Sequence, residues 1–299
     1  MYIVLHIIAI CIFGNNRIFN VSYYKIGSYG CMFTRIKDIP NHKNPEILFL
    51  GSSHAYRGFD TRIFEEEGIT CFNLGSSFQT PLQTEVLLEK YLDEINPKSI
   101  VFAITYGVFQ SDGIESTTDL ISNDHIDSKI CKLAINSGNI KVINTLIYGI
   151  YQEYCCGIRN TFQERIMKGD DLYVSGGYVE KLDYSPFVSD SSNIREEIIK
   201  VRPKQLLAFN NCINMIKNRQ IPYLLVKTPL PISTNSNCTN RNELNVLMSS
   251  YGTYLDFNEI LQLDDSCFYD SSHLSQNGVE VFDSCLIQVI DSLRLQGVF

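Results

Sequence analysis

The sequence of 299 residues lacks several features that mark common classes of protein. It has no tryptophan, no Cys-x-x-Cys pair among its ten cysteines and no cluster of lysine and arginine, and its formal net charge is −8. Without a basic cluster, a nucleic-acid partner is not expected, because phosphate binding requires concentrated positive charge. Without a Cys-x-x-Cys pair, neither a zinc ribbon nor a thioredoxin-like site is expected. The length allows one large domain or two smaller ones.

One strongly apolar run lies at the N-terminus, where MYIVLHIIAICIF spans residues 1–13. It is shorter than a membrane-spanning helix, which needs about 20 residues. It fits a signal-peptide core or a membrane anchor, and the absence of a small-residue cleavage site favours the anchor. We therefore predict an anchor or signal segment over residues 1–22, membrane contact through it, and an extracytoplasmic (periplasmic or cell-surface) location. If the run is instead a core element, the protein is expected in the cytoplasm.

From residue 45 onward, short apolar segments alternate with helical patterns. Continuous apolar runs of four to seven residues are typical of strands that are covered on both faces. Strands that alternate with helices predict a parallel sheet between two helical layers. We predict a three-layer α/β/α domain over residues 45–299, with a five-stranded flavodoxin-like parallel sheet. The predicted strands are EILFL, ITCFNL, SIVFAIT, PYLLVK and TYLDF, at residues 46–50, 69–74, 99–105, 222–227 and 253–257.

The alternation is interrupted between about residues 112 and 193, where the sequence is polar and has one apolar helical stretch, near residues 140–154. This pattern predicts a helical and irregular insertion over one end of the sheet. A long helix is predicted after it, over residues 194–218, and a last helix over residues 279–295.

Small and polar residues follow the predicted strands. Ser53 and Gly75 come after the first and second strands, Tyr106 follows the third, and Asp270 and His273 lie in the loop after the fifth. In open parallel sheets, ligands bind outside the carboxyl ends of the strands. The predicted topology therefore brings these five positions to one edge of the sheet.

These residue types have a shared chemistry. A serine hydroxyl is a weak nucleophile and needs a nearby base. Asp270 precedes His273 by three residues, so it can fold back to accept the Nδ1 proton and leave Nε2 facing Ser53. The backbone N–H groups at Ser53 and Gly75 are candidate donors to an oxyanion. Taken singly, each feature also has a plain interpretation, as a capped turn, a helix-entry loop or a strand-end glycine.

Together, Gly51-Ser52-Ser53, Gly75 and Asp270-x-x-His273 resemble the conserved blocks of the SGNH hydrolase superfamily, also called GDSL esterases and lipases. Order and spacing agree from about residue 45 to residue 295. The resemblance implies that Ser53 is the nucleophile, that Asp270 and His273 are its partners, and that no metal or cofactor takes part.

The sequence departs from the family in two blocks. Ser52 replaces the aspartate of Gly-Asp-Ser, and ITYGVFQ, at residues 104–110, lacks the asparagine whose side chain completes the oxyanion hole. Tyr106 and Gln110 are the candidate replacements for that donor. Loss of one such donor slows catalysis by about 10²–10³-fold, so the missing asparagine weakens the expectation of an efficient esterase.

Divergent members of this kind resemble membrane-anchored acyl-esterases and acyltransferases that modify polysaccharides. The resemblance implies an acyl-ester hydrolase (acetyl esterase-like), or an O-acyltransferase, that acts on a small-molecule or glycan acyl ester through an acyl-Ser53 intermediate. Tyr56 and Arg57 follow the nucleophile and are candidate substrate contacts, although a half-buried tyrosine and a surface arginine are the simpler interpretation.

The missing asparagine leaves a second hypothesis, a catalytically weak or inactive carbohydrate-binding or scaffold protein of polysaccharide assembly. A nucleotide-binding protein is disfavoured because no P-loop lysine follows Ser53.

Overall fold

The protein is described by a computed structural model that covers residues 2–16, 18–27, 29–189 and 196–299. Five of its strands form one sheet in the order β2-β1-β3-β7-β8, and every neighbouring pair is parallel. This order is that of the flavodoxin-like folds. The strands are β1 (Ile47–Leu50), β2 (Cys71–Asn73), β3 (Ser99–Ala103), β4 (Met167–Lys168), β5 (Asp171–Val174), β6 (Tyr178–Lys181), β7 (Tyr223–Lys227) and β8 (Tyr254–Asp256).

Alternate side chains of the central strands enter two separate cores. In β1, Ile47 and Phe49 belong to one core, Leu48 and Leu50 belong to the other, and all four are fully buried. A strand covered on both faces has no need for polar residues, which explains its continuous apolar sequence. The three-layer α/β/α architecture with a five-stranded parallel sheet is therefore confirmed.

Helices cover both faces of this sheet. α5, α11 and α13 contribute to the core on one face, whereas α4 and α15 contribute to the other. The helices are α1 (Tyr2–Phe13), α2 (Met32–Asp38), α3 (Ser53–Tyr56), α4 (Thr61–Glu66), α5 (Pro81–Ile95), α6 (Tyr106–Gln110), α7 (Ile114–Asn123), α8 (Ser128–Asn136), α9 (Ile140–Ile150), α10 (Ile158–Thr161), α11 (Pro203–Asn218), α12 (Ile232–Asn237), α13 (Arg241–Ser249), α14 (Phe257–Ile260) and α15 (Gln276–Leu295). Short 3-10 helices occupy Tyr29–Cys31, Ile39–Asn41 and Asp265–Cys267, and a π-helix occupies Tyr151–Cys155.

Local sequence signals explain where several helices begin. Thr80 caps α5 and Pro81 is its first residue, as the sequence predicts, and the Asp60 side chain accepts a hydrogen bond from the first turn of α4. α11 begins later than predicted, at Pro203, because the residue before a proline avoids the helical conformation and Arg202 is extended. The start of the predicted helix, at residues 194–195, lies outside the described residues.

The insertion between α6 and α11 is more regular than the sequence suggests. It holds four helices, α7 to α10, and a three-stranded antiparallel sheet of β4, β5 and β6. Asp127 and Asn139 each accept two backbone N–H groups and so start α8 and α9. α8 buries one side only, which explains its mixed composition, whereas α9 corresponds to the apolar helical stretch predicted near residues 140–154. Residues 190–193 of the predicted insertion lie outside the described part of the chain.

The N-terminal apolar run forms α1, which packs on the insertion. Ile10 is buried with Tyr24 and Tyr148, and His6 Nε2 lies 3.2 Å from Asn144 Oδ1 of α9. Most other apolar side chains of α1 are exposed, with Ile3 at 76%. Within residues 2–16, 18–27, 29–189 and 196–299, no helix combines the length and apolar character needed to cross a bilayer. The boundary at residue 22 stays a prediction.

Candidate active site

The turn after β1 places Ser53 at the start of α3. Gly51 has a φ of +140°, a conformation that side chains disfavour, and a Cβ atom there would lie 2.9 Å from the Cβ and carbonyl oxygen of Ala103. Only glycine fits this position without displacing β3. The turn therefore brings the chain abruptly from the sheet into a helix and presents Ser53 at the sheet edge.

Ser53, His273 and Asp270 form a continuous series of hydrogen bonds. His273 Nε2 lies 2.8 Å from Ser53 Oγ, and His273 Nδ1 lies 2.9 Å from Asp270 Oδ2 and 3.1 Å from Oδ1. These distances are within the range required for proton transfer between a nucleophile and its base. The structure thus brings together three residues that the sequence separates by up to 220 positions.

One carboxylate oxygen holds the Asp-x-x-His loop in shape. Asp270 Oδ1 accepts the backbone N–H of Ser272 at 2.7 Å and that of His273 at 2.8 Å. Burial opposes a charge on Asp270, but its hydrogen bond to His273 and its electrostatic attraction to that ring, together with these backbone bonds, outweigh burial and hold the pKa of Asp270 below its usual value. Asp270 is therefore ionised and fixes the ring orientation of His273.

Two rings cover the faces of the His273 imidazole. Tyr269 stacks on it with centroids 5.6 Å apart and planes inclined by 7°, and His54 stacks with centroids 5.2 Å apart and planes inclined by 30°. Desolvation of the ring, followed by the charge on His273, lowers the pKa of His54 to about 3. His54 Nδ1 lies 3.2 Å from Thr228 Oγ1. His54 is thus a neutral neighbour of His273, and no part in the site was predicted for it from the sequence.

Gly75 lies beside the turn at Gly51, Ser52 and Ser53, which we call the nucleophile turn after the predicted role of Ser53. A Cβ atom there would lie 2.8 Å from Ala55 Cβ and 2.9 Å from the Ser52 carbonyl oxygen, so the close approach requires glycine. The Gly75 N–H donates to Asn73 Oδ1 at 3.0 Å, and Asn73 Nδ2 donates to the Ala55 carbonyl at 2.8 Å. The Asn73 side chain therefore connects the backbone at Gly75 to the nucleophile turn through these two hydrogen bonds. As an oxyanion donor, Gly75 stays a prediction, since its N–H already has this partner.

Tyr106 does not occupy the position predicted for an oxyanion donor. Its hydroxyl bonds to Asn245 and lies 2.7 Å from the Tyr254 hydroxyl, because the side chain is buried towards α13 and β8. Gln110 also points elsewhere, donating to Glu197 Oε1 at 2.7 Å.

The residue after β3 that reaches the nucleophile turn is Thr105. Its Oγ1 atom lies 3.2 Å from Ser52 Oγ. The sequence carries a signal for Thr105, since it is the hydroxyl residue that ends the predicted strand at residues 99–105 and directly precedes Tyr106.

A shallow cleft of about 290 Å³ opens over Ser53 and His273. Arg57 forms one side and donates to both carboxylate oxygens of Asp171, at 3.0 and 2.7 Å. Asp171 in β5 and Lys181 in β6 bring the insertion into the cleft wall. Sequence reasoning missed both residues, because isolated charges in a polar segment give no local signal. The remaining lining residues are Tyr56, Ser77, Tyr269 and Asp270.

The two predicted substrate contacts differ in their surroundings. The Tyr56 side chain is 2% exposed and lies under the Arg35 guanidinium, 5.1 Å from its ring centroid, so little of it is open to a ligand. The Arg57 guanidinium carbon lies 5.9 Å from the Tyr269 ring centroid, between the aromatic ring and its Asp171 partner. Arg57 is therefore a rigid part of the cleft rather than a mobile surface side chain.

No protein-family model matches the chain, and no curated protein matches it. The chain is similar to two solved structures. One is a "putative acylhydrolase" from Bacteroides fragilis NCTC 9343, with 11% identity, a TM-score of 0.45, and 89% of this chain and 98% of that chain covered. The other is a "GDSL-like lipase" from Bacteroides thetaiotaomicron VPI-5482, with 10% identity, a TM-score of 0.44, and 89% and 99% covered. With TM-scores below 0.5, these similarities do not bear on the site, whose interpretation rests on its own geometry.

Proposed function

We propose that the protein is a serine hydrolase of acyl esters and a divergent member of the SGNH superfamily. The observation that carries the proposal is the series of hydrogen bonds from Asp270 through His273 to Ser53, with Nε2 2.8 Å from Oγ. The motif order Gly-Ser-Ser, Gly and Asp-x-x-His supports the same conclusion.

The reaction follows from this geometry. His273 Nε2 removes the proton of Ser53 as Oγ bonds to the acyl carbon, and the same imidazolium then protonates the leaving alcohol as the ester bond breaks. A second hydroxyl compound, activated by His273, releases the acyl group and regenerates Ser53. Asp270 supplies the negative charge that stabilises the imidazolium. The proposed oxyanion donors are the backbone N–H groups of Ser53, at the start of α3, and of Gly75. The Gly75 N–H must first release its hydrogen bond to Asn73 Oδ1.

The second hydroxyl compound defines the finer activity. With water the protein is an esterase, and with a sugar hydroxyl it is an O-acyltransferase. We favour hydrolysis of an acylated carbohydrate, because the open cleft offers polar side chains and the ring of Tyr269, which suit a sugar. Within the cleft, Arg57 and Lys181 are the proposed contacts to the alcohol part.

Replacement of the nucleophile tests the proposal. We expect Ser53→Ala to lower the turnover of p-nitrophenyl acetate by at least about 10³-fold, because the covalent route is lost. A fluorophosphonate probe should label the wild type at Ser53. The matched control is Ser292→Ala, on an exposed turn of α15, which should keep full activity and labelling. Undiminished turnover by Ser53→Ala would refute the assignment, and a wild type that neither turns over nor reacts would favour the carbohydrate-binding alternative.

We further propose that α1 contacts a lipid surface and that the domain works outside the cytoplasm. The support is the row of exposed apolar side chains on α1, including Ile3 at 76% and Ile12 at 66% exposure. Ile3→Lys with Ile12→Lys should reduce flotation with phosphatidylcholine vesicles at least about tenfold, because buried apolar area drives such binding. The control is Val246→Lys, which changes an exposed apolar position on α13. Equal flotation of both variants would contradict the proposal.

A further inference from the structure

A second cavity, of about 590 Å³, lies beside the catalytic residues at the carboxyl ends of β3 and β7. His54 and Ser272 line it, and these residues directly adjoin Ser53 and His273 in the chain. Thr105 also lines it and contacts the nucleophile turn through Ser52. The cavity shares no lining residue with the shallow cleft, but it adjoins Ser53 and His273 through their neighbours in the chain.

Three charged residues line this cavity, of which Lys227 and Glu197 are bonded to neighbouring side chains and Glu196 is exposed. Lys227 Nζ lies 3.1 Å from Asp256 Oδ2 and 2.8 Å from Asn235 Oδ1, and it sits 4.9 Å from the centroid of the Tyr106 ring. Glu197 accepts the amide of Gln110 at 2.7 Å. A charged ligand that binds Lys227 or Glu197 would have to break these bonds, and the charge of Glu196 is exposed to solvent, so the cavity favours an uncharged group.

Most hydroxyl groups in the lining are also occupied. Thr228 is bonded to His54, at 3.2 Å, and Thr234 donates to the Ser271 carbonyl at 2.7 Å. Ser272 Oγ lies 3.1 Å from Asp270 Oδ1. Asn237 differs, since its side-chain oxygen has no hydrogen-bond partner and is shielded from solvent.

Because these polar groups satisfy one another, the surface left for a ligand is mainly apolar. Ile104, Ile199, Leu230 and Cys238 supply it.

We propose that this cavity binds the acyl chain of the ester, and that the preferred chain is aliphatic and of medium length, about six to twelve carbons. The proposal rests on the proposed function of Ser53. Ser53 does not line the cavity. The acyl chain therefore passes from the acyl carbon over Thr105 and His54 to enter the cavity. The alcohol part then occupies the shallow cleft, where Arg57 and Lys181 lie. An acetyl group would leave almost all of the cavity unfilled.

The first test compares chain lengths. Each methylene that is fully buried contributes about fourfold to binding. The octanoyl group has six more methylenes than the acetyl group, so even with partial burial kcat/KM for p-nitrophenyl octanoate should be at least about tenfold above that for the acetate. Gly107 lines the cavity, and a Cβ atom there would meet nothing within 4 Å. Gly107→Phe should therefore lower the octanoate-to-acetate ratio at least about fivefold, and Gly107→Ala should lower it less. Equal rates on both esters, or a ratio unaffected by Gly107→Phe, would overturn the proposal.

The second test does not depend on catalysis. Octanoate should bind the Ser53→Ala variant in calorimetry, and adding Gly107→Phe should weaken that binding at least about tenfold. If octanoate binds in this way while the wild type shows no turnover, the cavity assignment stands and the esterase proposal fails. If acetate esters turn over but octanoate does not bind, the cavity assignment fails alone. Binding of free glucose in place of octanoate, abolished by Gly107→Phe, would also overturn it.

Discussion

Replacing Asp270 with asparagine separates the chemical role of its carboxylate from its structural role. In the wild type, Oδ1 accepts both backbone N–H groups of the loop, and Oδ2 accepts the ring proton of His273 at 2.9 Å. The asparagine oxygen can keep the two backbone bonds, whereas its NH₂ group takes the place of Oδ2. Because an NH₂ group only donates, the nearer of the two contacts then favours the tautomer in which His273 accepts at Nδ1 and carries its proton on Nε2. A protonated Nε2 cannot remove the proton of Ser53.

We therefore expect Asp270→Asn to reduce kcat/KM for p-nitrophenyl esters by about 10⁴-fold, as the same change of tautomer does in serine proteases. The melting temperature should fall less than in Asp270→Ala, because the loop bonds survive although the charge is lost. Asp270→Ala should lose activity as well, but it also releases two backbone N–H groups. With the carboxylate partly exposed, each such bond contributes about 1 kcal/mol, so about 2 kcal/mol of stability should be lost.

Activity assays and thermal unfolding of the two variants make the comparison. Asp265→Asn is the control, since its carboxylate lies five residues earlier and accepts the Ser189 N–H at 3.0 Å, a bond that asparagine can retain. Activity of Asp270→Asn within tenfold of the wild type would refute the argument from the tautomer. Equal melting temperatures for Asp270→Asn and Asp270→Ala would refute the structural role assigned to Oδ1.

Two further changes probe the frame around the site. Burial, followed by repulsion from Asp60, raises the pKa of Asp283. The carboxyl of Asp283 has a pKa of about 3.9 in the unfolded chain, so the free energy of unfolding falls as the pH rises from that value towards the higher pKa of the folded protein. Asp283→Asn should therefore gain stability relative to the wild type between pH 4 and pH 7.5 in urea unfolding, and a constant difference would contradict this. Gly75→Ala should cost about 1–3 kcal/mol because of its contacts with the nucleophile turn, whereas Gly107→Ala, in open space, should cost nothing measurable by thermal unfolding. Equal losses for the two glycines would show that close packing is not the cause.

The sequence predicts the sheet well because its signal is local. In β1 every residue is buried, and that burial appears directly as an unbroken apolar run. The relation between Asp270 and His273 is equally local, because three residues of chain suffice to close the loop. Topology then supplies the long-range step, since strand ends of one parallel sheet meet at the same edge.

The features that the sequence does not predict depend on contacts between distant segments. The bond between Arg57 and Asp171 spans 114 positions, and neither residue has a neighbour in the chain that indicates the other. Tyr106 follows β3 as expected, yet the direction of its side chain is set by Asn245, 139 positions away. Of the helices in the insertion, the sequence predicts the apolar one near residues 140–154, where α9 lies, but not α7, α8 or α10.

The pairing of Arg57 with Asp171 has a consequence for shortening the protein. Ser53 and Arg57 belong to the sheet domain, whereas Asp171 and Lys181 belong to the hairpin of β5 and β6. A shortened chain in which a linker replaces that hairpin would keep Ser53, Asp270 and His273 but leave the Arg57 guanidinium without its carboxylate. Its substrate preference should shift towards esters with anionic alcohols, because a free guanidinium binds carboxylate and phosphate groups in two-point contacts. We infer that the hairpin makes the cleft of the intact protein selective against such anions.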